Sequence, residues 1–312
     1  MPRLLALPLL TGLALAACAA GTRPQVATPT SDAVTIVDAP SGRPLTRAQL
    51  RQRLASAPFV LLGELHDNAI HHRVRGELLA EATPKPAVVF EQFSWRTAPL
   101  GQPEAGAALD TWLDAGGFDR AGWRWPLHEP VVRAALALGT PLRGSNLGRD
   151  TLRPVVRDGI SAAPPRLRAL VARAPLDSAA NAAIVGELVT GHCGMLPPAM
   201  VPGMRAAQEA RDAAMTDALL AARAEGGGRA WLIAGNGHVR RDMGVPRMLR
   251  VMAPEARVLS VGFLERGPDG AAPEAADRRG YDVVVITARA EREDPCASLR
   301  QQMGPPRTAR PS

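Results

Sequence analysis

Residues 59–72 read F-V-L-L-G-E-L-H-D-N-A-I-H-H, and this stretch decides the fold. Phe59–Leu62 is an unbroken apolar run, the habit of strands buried on both faces in parallel sheets covered by helices. It stops at Gly63 and then delivers Glu64, His66, Asp67, His71 and His72. Three of the chain's six histidines stand here. In open α/β sheets the side chains at strand carboxyl ends project into the crevice between flanking loops, where ligands bind. The stretch therefore predicts a parallel strand with a site at its end.

Further short apolar runs bounded by Gly, Pro or Asp follow the same habit: Val34–Val37, Ala87–Phe90, Ala230–Ala234, Arg257–Phe263 and Asp282–Thr287. Helical patterns separate several of them. One starts at Thr46 as N-cap and ends before Pro58; the next follows Asp67 and Asn68, both natural caps, and ends before Pro84. This alternation predicts an α/β fold, a mostly parallel sheet flanked by helices. From Leu100 the period changes. Ala105–Ala115, Glu129–Leu138, Pro164–Ala174 and Met204–Arg223 place Ala, Leu and Met at three-to-four spacing, and strand-like runs are scarce apart from Pro141–Gly144. The expected organisation is a discontinuous sheet domain at 33–97 and 228–294, an inserted smaller helical subdomain at 98–227 and a Pro- and Arg-rich tail at 295–312.

Three strand ends carry polar residues: Gly63-Glu64-Leu65-His66, Phe90-Glu91-Gln92 and Ala234-Gly235-Asn236-Gly237-His238. Parallel strands empty onto one rim, so Glu64, His66, Glu91 and His238 are expected to share it. That set suits a borderline or hard divalent metal, or acid–base chemistry with the same four as catalytic residues. The spacing is not the H-E-x-x-H of a zincin helix. Gly-Asn-Gly lacks the phosphate-cradling fingerprint, which argues against a dinucleotide. His71 and His72, adjacent on a helix, cannot share a face, so at most one is expected to point at the site and the other to be a solvated surface histidine. Gly191-His192-Cys193-Gly194-Met195 reads either as a disulfide loop with Met195 packed, or as a source of ligands, His192 and Met195, for haem iron or copper. His128 reads as a helix-start histidine beside a packed Trp. Arg240 is placed to clamp carboxylates, or is merely solvated.

The amino-terminal residues carry one charge, Arg3, before an apolar segment, Leu4–Ala17, too short for a comfortable membrane span. It reads as a signal peptide closing on the lipobox Leu15-Ala16-Ala17-Cys18, so Cys18 is the expected lipidation site and 18–32 a tether from a membrane. Ala19 after the cysteine gives no signal for inner-membrane retention, so the expected home is the outer membrane, facing periplasm or surface. Formal net charge is +7, nearly all of it arginine, with Lys85 the one lysine. An exported lipoprotein rarely meets nucleic acid, and that partner is set aside. Cys193 and Cys296 remain after lipidation, and an oxidising compartment favours a disulfide between them.

Taken together, G-E-L-H-D-N-A-I-H-H, V-V-F-E-Q-F, G-H-C-G-M-L-P and I-A-G-N-G-H-V-R-R-D-M-G-V-P resemble the ChaN-like haem-binding uptake lipoproteins, within the wider grouping of Tiki-type metalloproteases and erythromycin esterases. The resemblance runs in order from residue 45 to residue 300. It implies a parallel sheet flanked by helices with a smaller helical part, haem bound in a pocket completed by a second copy, and a role in iron acquisition. The implied cofactor-binding residues are His66, His71, His192, Met195, His238 and Arg240. One departure stands out. Tyrosine is a common iron ligand in bacterial haem-uptake proteins, whereas the one tyrosine here, Tyr281, begins an expected strand far from the motifs.

Overall fold

The computed structural model describes residues 34–96, 98–294, 296–297 and 299–300. The expected leader, Cys18, the tether and residues 301–312 of the tail lie outside the described residues. Strands β1 (Thr35–Asp38), β2 (Phe59–Leu62), β3 (Ala87–Ser94), β4 (Leu142–Asn146), β5 (Ala230–Ile233), β6 (Val258–Glu265) and β7 (Val283–Thr287) form one sheet in the order β1-β7-β6-β2-β5-β3-β4. Only the edge pair β1–β7 is antiparallel. β2 lies at the centre, between β6 and β5, which is why its four residues are all apolar and fully buried.

The period-two alternation of the strands sorts their side chains into two cores. Val60, Leu62, Val88, Phe90, Trp231 and Ile233 pack on one face under α1 (Arg47–Ser56), α2 (Ala69–Ala80), α3 (Leu109–Ala115) and α4 (Glu129–Leu138). Phe59, Leu61, Val89 and Leu232 pack on the other, against Met215, Ala218 and Leu219 of α8 (Val201–Glu225) and Val245 and Leu249 of α10 (Val245–Met252). Local chemistry starts the helices where expected. Thr46 caps α1 in a capping box with Gln49, and α2 is capped by Asn68, whose side chain accepts from the backbone of Ile70 and His71. Asp67 does not cap: it accepts instead from Arg292.

The expected boundaries at 98 and 227 need correction. β4 lies between them and pairs with β3, while α3, α4 and the second half of α8 cover the sheet. The smaller helical part is narrower: α5 (Arg149–Asp158), α6 (Pro165–Arg173) and the first half of α8 share a third core built on Val155, Leu167 and Ala210, with α7 (Ser178–Gly191) alongside α8. β4 answers to the strand-like run Pro141–Gly144 but extends to Asn146, an end that Ser145 and Asn146 leave without apolar signature. Among the described residues no helix is long and apolar enough to cross a membrane.

Candidate functional site

The carboxyl ends of β2, β5 and β3 meet on one rim because the three strands are adjacent and parallel. Gly63 is required there. A Cβ at this position would lie 2.2 Å from Oδ1 of Asn236. That side chain fills the slot beside Gly63, accepting from Phe263 N at 3.0 Å and donating to Phe263 O at 2.6 Å. β5 thus leaves the sheet in a fixed direction, through Gly235 into the short helix α9 (Asn236–Val239) that carries His238.

The rim's polar residues separate into two buried groups. In the first, Glu64 is enclosed by cations and donors: Arg75 from α2 contacts its Oε2, and Oε1 faces Nδ1 of His66 at 2.5 Å, Gln92 Nε2 at 2.9 Å and His128 Nε2 at 3.3 Å. His72 packs its ring on His128 with centroids 3.9 Å apart. Burial lowers the pKa of His72 to about 4 and of His128 to about 2, so both are neutral. In the second group Glu91 Oε2 accepts from Gly235 N at 2.7 Å, while His238 lies between Asp212 (Nδ1 to Oδ1, 2.6 Å) and Glu91 (Nε2 to Oε1, 3.4 Å). Burial alone would lower His238, but Glu91 and Asp212 overcome it and lift its pKa to about 10. The same imidazolium holds Glu91 well below the usual carboxylate range, against the upward push of burial.

His66 hangs on the first group through Glu64 but turns its far edge outward, with its side chain 46% exposed. Burial lowers its pKa, so the ring is neutral, and its Nδ1 faces a carboxylate that can only accept. Nε2 is therefore the unprotonated nitrogen. His66 lines a cavity of about 460 Å³ together with Leu65, Ile184, Leu188, His192, His238 and Met243. His192, which ends α7, donates Nδ1–H to Leu188 O at 2.7 Å, which again leaves Nε2 as the free acceptor.

Other expected site residues fall elsewhere. His71 is fully buried and both nitrogens are used, Nδ1 accepting from Leu65 N at 3.0 Å and Nε2 meeting Thr287 Oγ1 at 2.9 Å; it is a core histidine, not a ligand. His72 is fully buried too, so neither of the pair is the expected surface histidine; the sheet on one side and α4 on the other cover both faces of the helix start. Met195 is half-buried outside the cavity wall, and Arg240 is held by Asp242 at 2.7 Å and Glu187 at 2.5 Å rather than offered to a ligand. Cys193 and Cys296 form a disulfide. Glu64, His66, Glu91 and His238 do not make one metal cluster. The trio whose donor atoms lie together is Glu64, His66 and His128, and Arg75 already neutralises its carboxylate. Tyr281 is buried under Gly262 with its hydroxyl toward the carbonyl of Asn236, and it does not itself line the cavity.

Sequence reading missed Arg75, Asp212 and the role of Gln92, and gave His128 only a structural role. Asp212 carried a signal: it interrupts the apolar stripe Ala206, Ala207, Ala210, Ala213, Ala214 of α8, and a charge within such a stripe needs a buried partner.

The profile of a family described as haem-binding uptake, Tiki superfamily, ChaN matches residues 50–249. Among solved structures, cofacial heme binding to ChaN of Campylobacter jejuni superposes with a TM-score of 0.64 at 16% identity, covering 82% of this chain and 97% of that one. A succinoglycan biosynthesis protein aligns with a TM-score of 0.35 at 12% identity over 70% of this chain and 68% of its own, too weak a likeness for inference. No curated protein sequence matches. The match spans well over half of the chain: the chain belongs to the ChaN haem-binding uptake family of the Tiki superfamily.

Proposed function

We propose that this protein binds haem in the cavity between the strand-end rim and α7, with the imidazoles of His66 and His192 as iron ligands. One observation carries the reading. Both histidines line one cavity, and each has Nδ1 tied to an acceptor, Glu64 or Leu188 O, which leaves Nε2 as the donor atom for a metal. Metal-binding histidines are fixed in this way, by a carboxylate or carbonyl behind the ring. Leu65, Ile184, Leu188 and Met243 give the cavity an apolar side for a flat macrocycle, Glu187, Gln208 and Asn236 make other parts of the wall polar, and the volume is within the range of small-molecule sites. Bound haem iron would accept the free Nε2 atoms of His66 and His192; the protein's part is to hold and orient those rings and to cover the macrocycle.

The family's description supports haem, and the lipobox supports a membrane-tethered role in haem or iron acquisition at the cell envelope, through Cys18. Pairing of two copies belongs to the same proposal, since α7 leaves Val189 exposed beside His192. The alternative, a metal-dependent hydrolase using the rim carboxylates, has less support. A general base must be free to take a proton. Glu64 is neutralised by Arg75, and Glu91 is clamped to the His238 imidazolium.

Titration of the tag-free mature protein with hemin tests the reading. A saturable Soret shift is expected, with a different saturated spectrum in His66→Ala and in His192→Ala. Saturated spectra identical to that of the unsubstituted chain in both variants would sink it.

A further inference from the structure

A second cavity, of about 580 Å³, adjoins the first; Leu65, His66 and Gly191 line both. Its character is different, because Asp67, Trp123, Arg124 and Arg292 complete the wall. The two arginines are not equivalent. Arg292 is saturated: it donates to both oxygens of Asp67, at 2.7 and 2.9 Å, and to both of Glu265, at 2.8 and 2.5 Å. Among the described residues, the one ion pair of Arg124 is a long contact, 3.9 Å, to Asp67, both of whose oxygens Arg292 already occupies, and its side chain is 66% exposed. It brings to this cavity a guanidinium whose fork no carboxylate fills, since its contact to Asp67 is longer than a hydrogen bond.

The backbone at Arg124 points the same way. Its φ of 51° lies in the left-handed region, which arginine seldom occupies and which persists where the surrounding structure imposes it. Here the turn is held by Asp119, whose Oδ1 accepts from Gly122 N at 2.9 Å and whose carbonyl accepts from Trp123 N at 2.9 Å. The same turn sets the Trp123 ring edge-on to His66, with centroids 5.0 Å apart. The strained residue is thus the one beside the aromatic wall of the ligand histidine.

We propose that Arg124 is the carboxylate anchor of this site, the second cavity taking the acidic side chains of a tetrapyrrole whose ring lies in the first. The inference rests on the haem reading and deepens it. A haem is apolar over its ring and anionic at one edge, which matches a cavity with an apolar side joined to one that offers an open guanidinium. A guanidinium fork pairs with a carboxylate through two parallel hydrogen bonds, and it does so best when no protein carboxylate already fills the fork.

The test compares the unsubstituted chain, Arg124→Gln, Arg124→Lys and, as a charge control, Arg133→Gln, an exposed cation paired with Glu129 on α4. Each is titrated with hemin and with hemin dimethyl ester, whose side chains carry no charge. Arg124→Gln should weaken hemin about tenfold, the scale of one charge-assisted pair, with an unchanged saturated Soret spectrum. Arg124→Lys should recover part of the loss. Arg133→Gln should bind hemin as the unsubstituted chain does, and the ester should bind all four proteins alike. Equal hemin affinity with and without Arg124, or a loss shared by the ester or by Arg133→Gln, overturns the proposal while leaving the haem reading in place. Absence of hemin binding by the unsubstituted chain overturns that reading and the proposal together.

Discussion

Glu64 is a fully buried carboxylate whose charge is balanced by an equally buried guanidinium, Arg75. Such a pair contributes little net stability, yet breaking it by removing one partner is costly, because the other charge is left without compensation. Glu64→Gln keeps the shape and removes the charge. It should cost ~3–5 kcal/mol, read as a lower denaturant midpoint with an unchanged slope. A cost under ~1 kcal/mol would show that Arg75 finds another partner or is solvated. The same substitution should also weaken the orientation of His66, since an amide is a poorer acceptor for Nδ1–H than a carboxylate. Glu64 therefore links the fold's interior to the residue that faces the ligand.

Among the elements, α8 does most to connect the sheet to the site. Its second half buries Met215, Ala218 and Leu219 against the sheet, and its first half carries Asp212 to His238 and packs on α5. The crossing with α5 depends on Gly203: a Cβ there would lie 2.0 Å from the carbonyl oxygen of Val156. Backbone cannot yield as a flexible side chain can, so Gly203→Ala should separate the two helices. The expected cost is ~1–3 kcal/mol in a denaturant titration, the range for overpacking. A neutral or stabilising result, from alanine's better helix propensity alone, would mean that α5 moves away freely. Because α8 also fixes Asp212, hemin affinity in this variant tests how far the helical part sets the site.

At the scale of the whole molecule, buried histidines make stability depend on pH in both directions. Burial lowers His71 to about 3, His72 to about 4 and His128 to about 2, while the two carboxylates around His238 outweigh its burial and raise it to about 10. In the unfolded chain all four titrate near ~6.5. Below that value the unfolded state binds protons that His71, His72 and His128 refuse in the folded state, so stability falls as pH drops from 6.5 toward 4. Above it the unfolded state releases a proton that folded His238 retains, so His238's contribution, complete below about pH 6.5, is lost as pH rises toward 10. Melting temperature should peak near ~6.5 and decline on both sides, and His238→Gln should flatten the alkaline limb. An alkaline limb of equal slope in that variant would assign the effect to other groups. The strands and their shared rim were legible in the chain itself. Phe59–Leu62, Ala87–Phe90 and Ala230–Ala234 announce parallel strands by burial on both faces, and the residues after them must then lie together whatever the loops do. Thr46 and Asn68 announce helix starts because capping is satisfied within a few residues. What the sequence determined is thus what short-range chemistry and strand period dictate: the α/β sheet, its rim, and Glu64, Glu91 and His238 upon it. Only the tertiary structure decided which groups neutralise which. Arg75, His128 and Asp212 come from helices whose rotation and distance are set by packing, and so the rim was divided into two closed ion clusters that leave His66 facing the cavity.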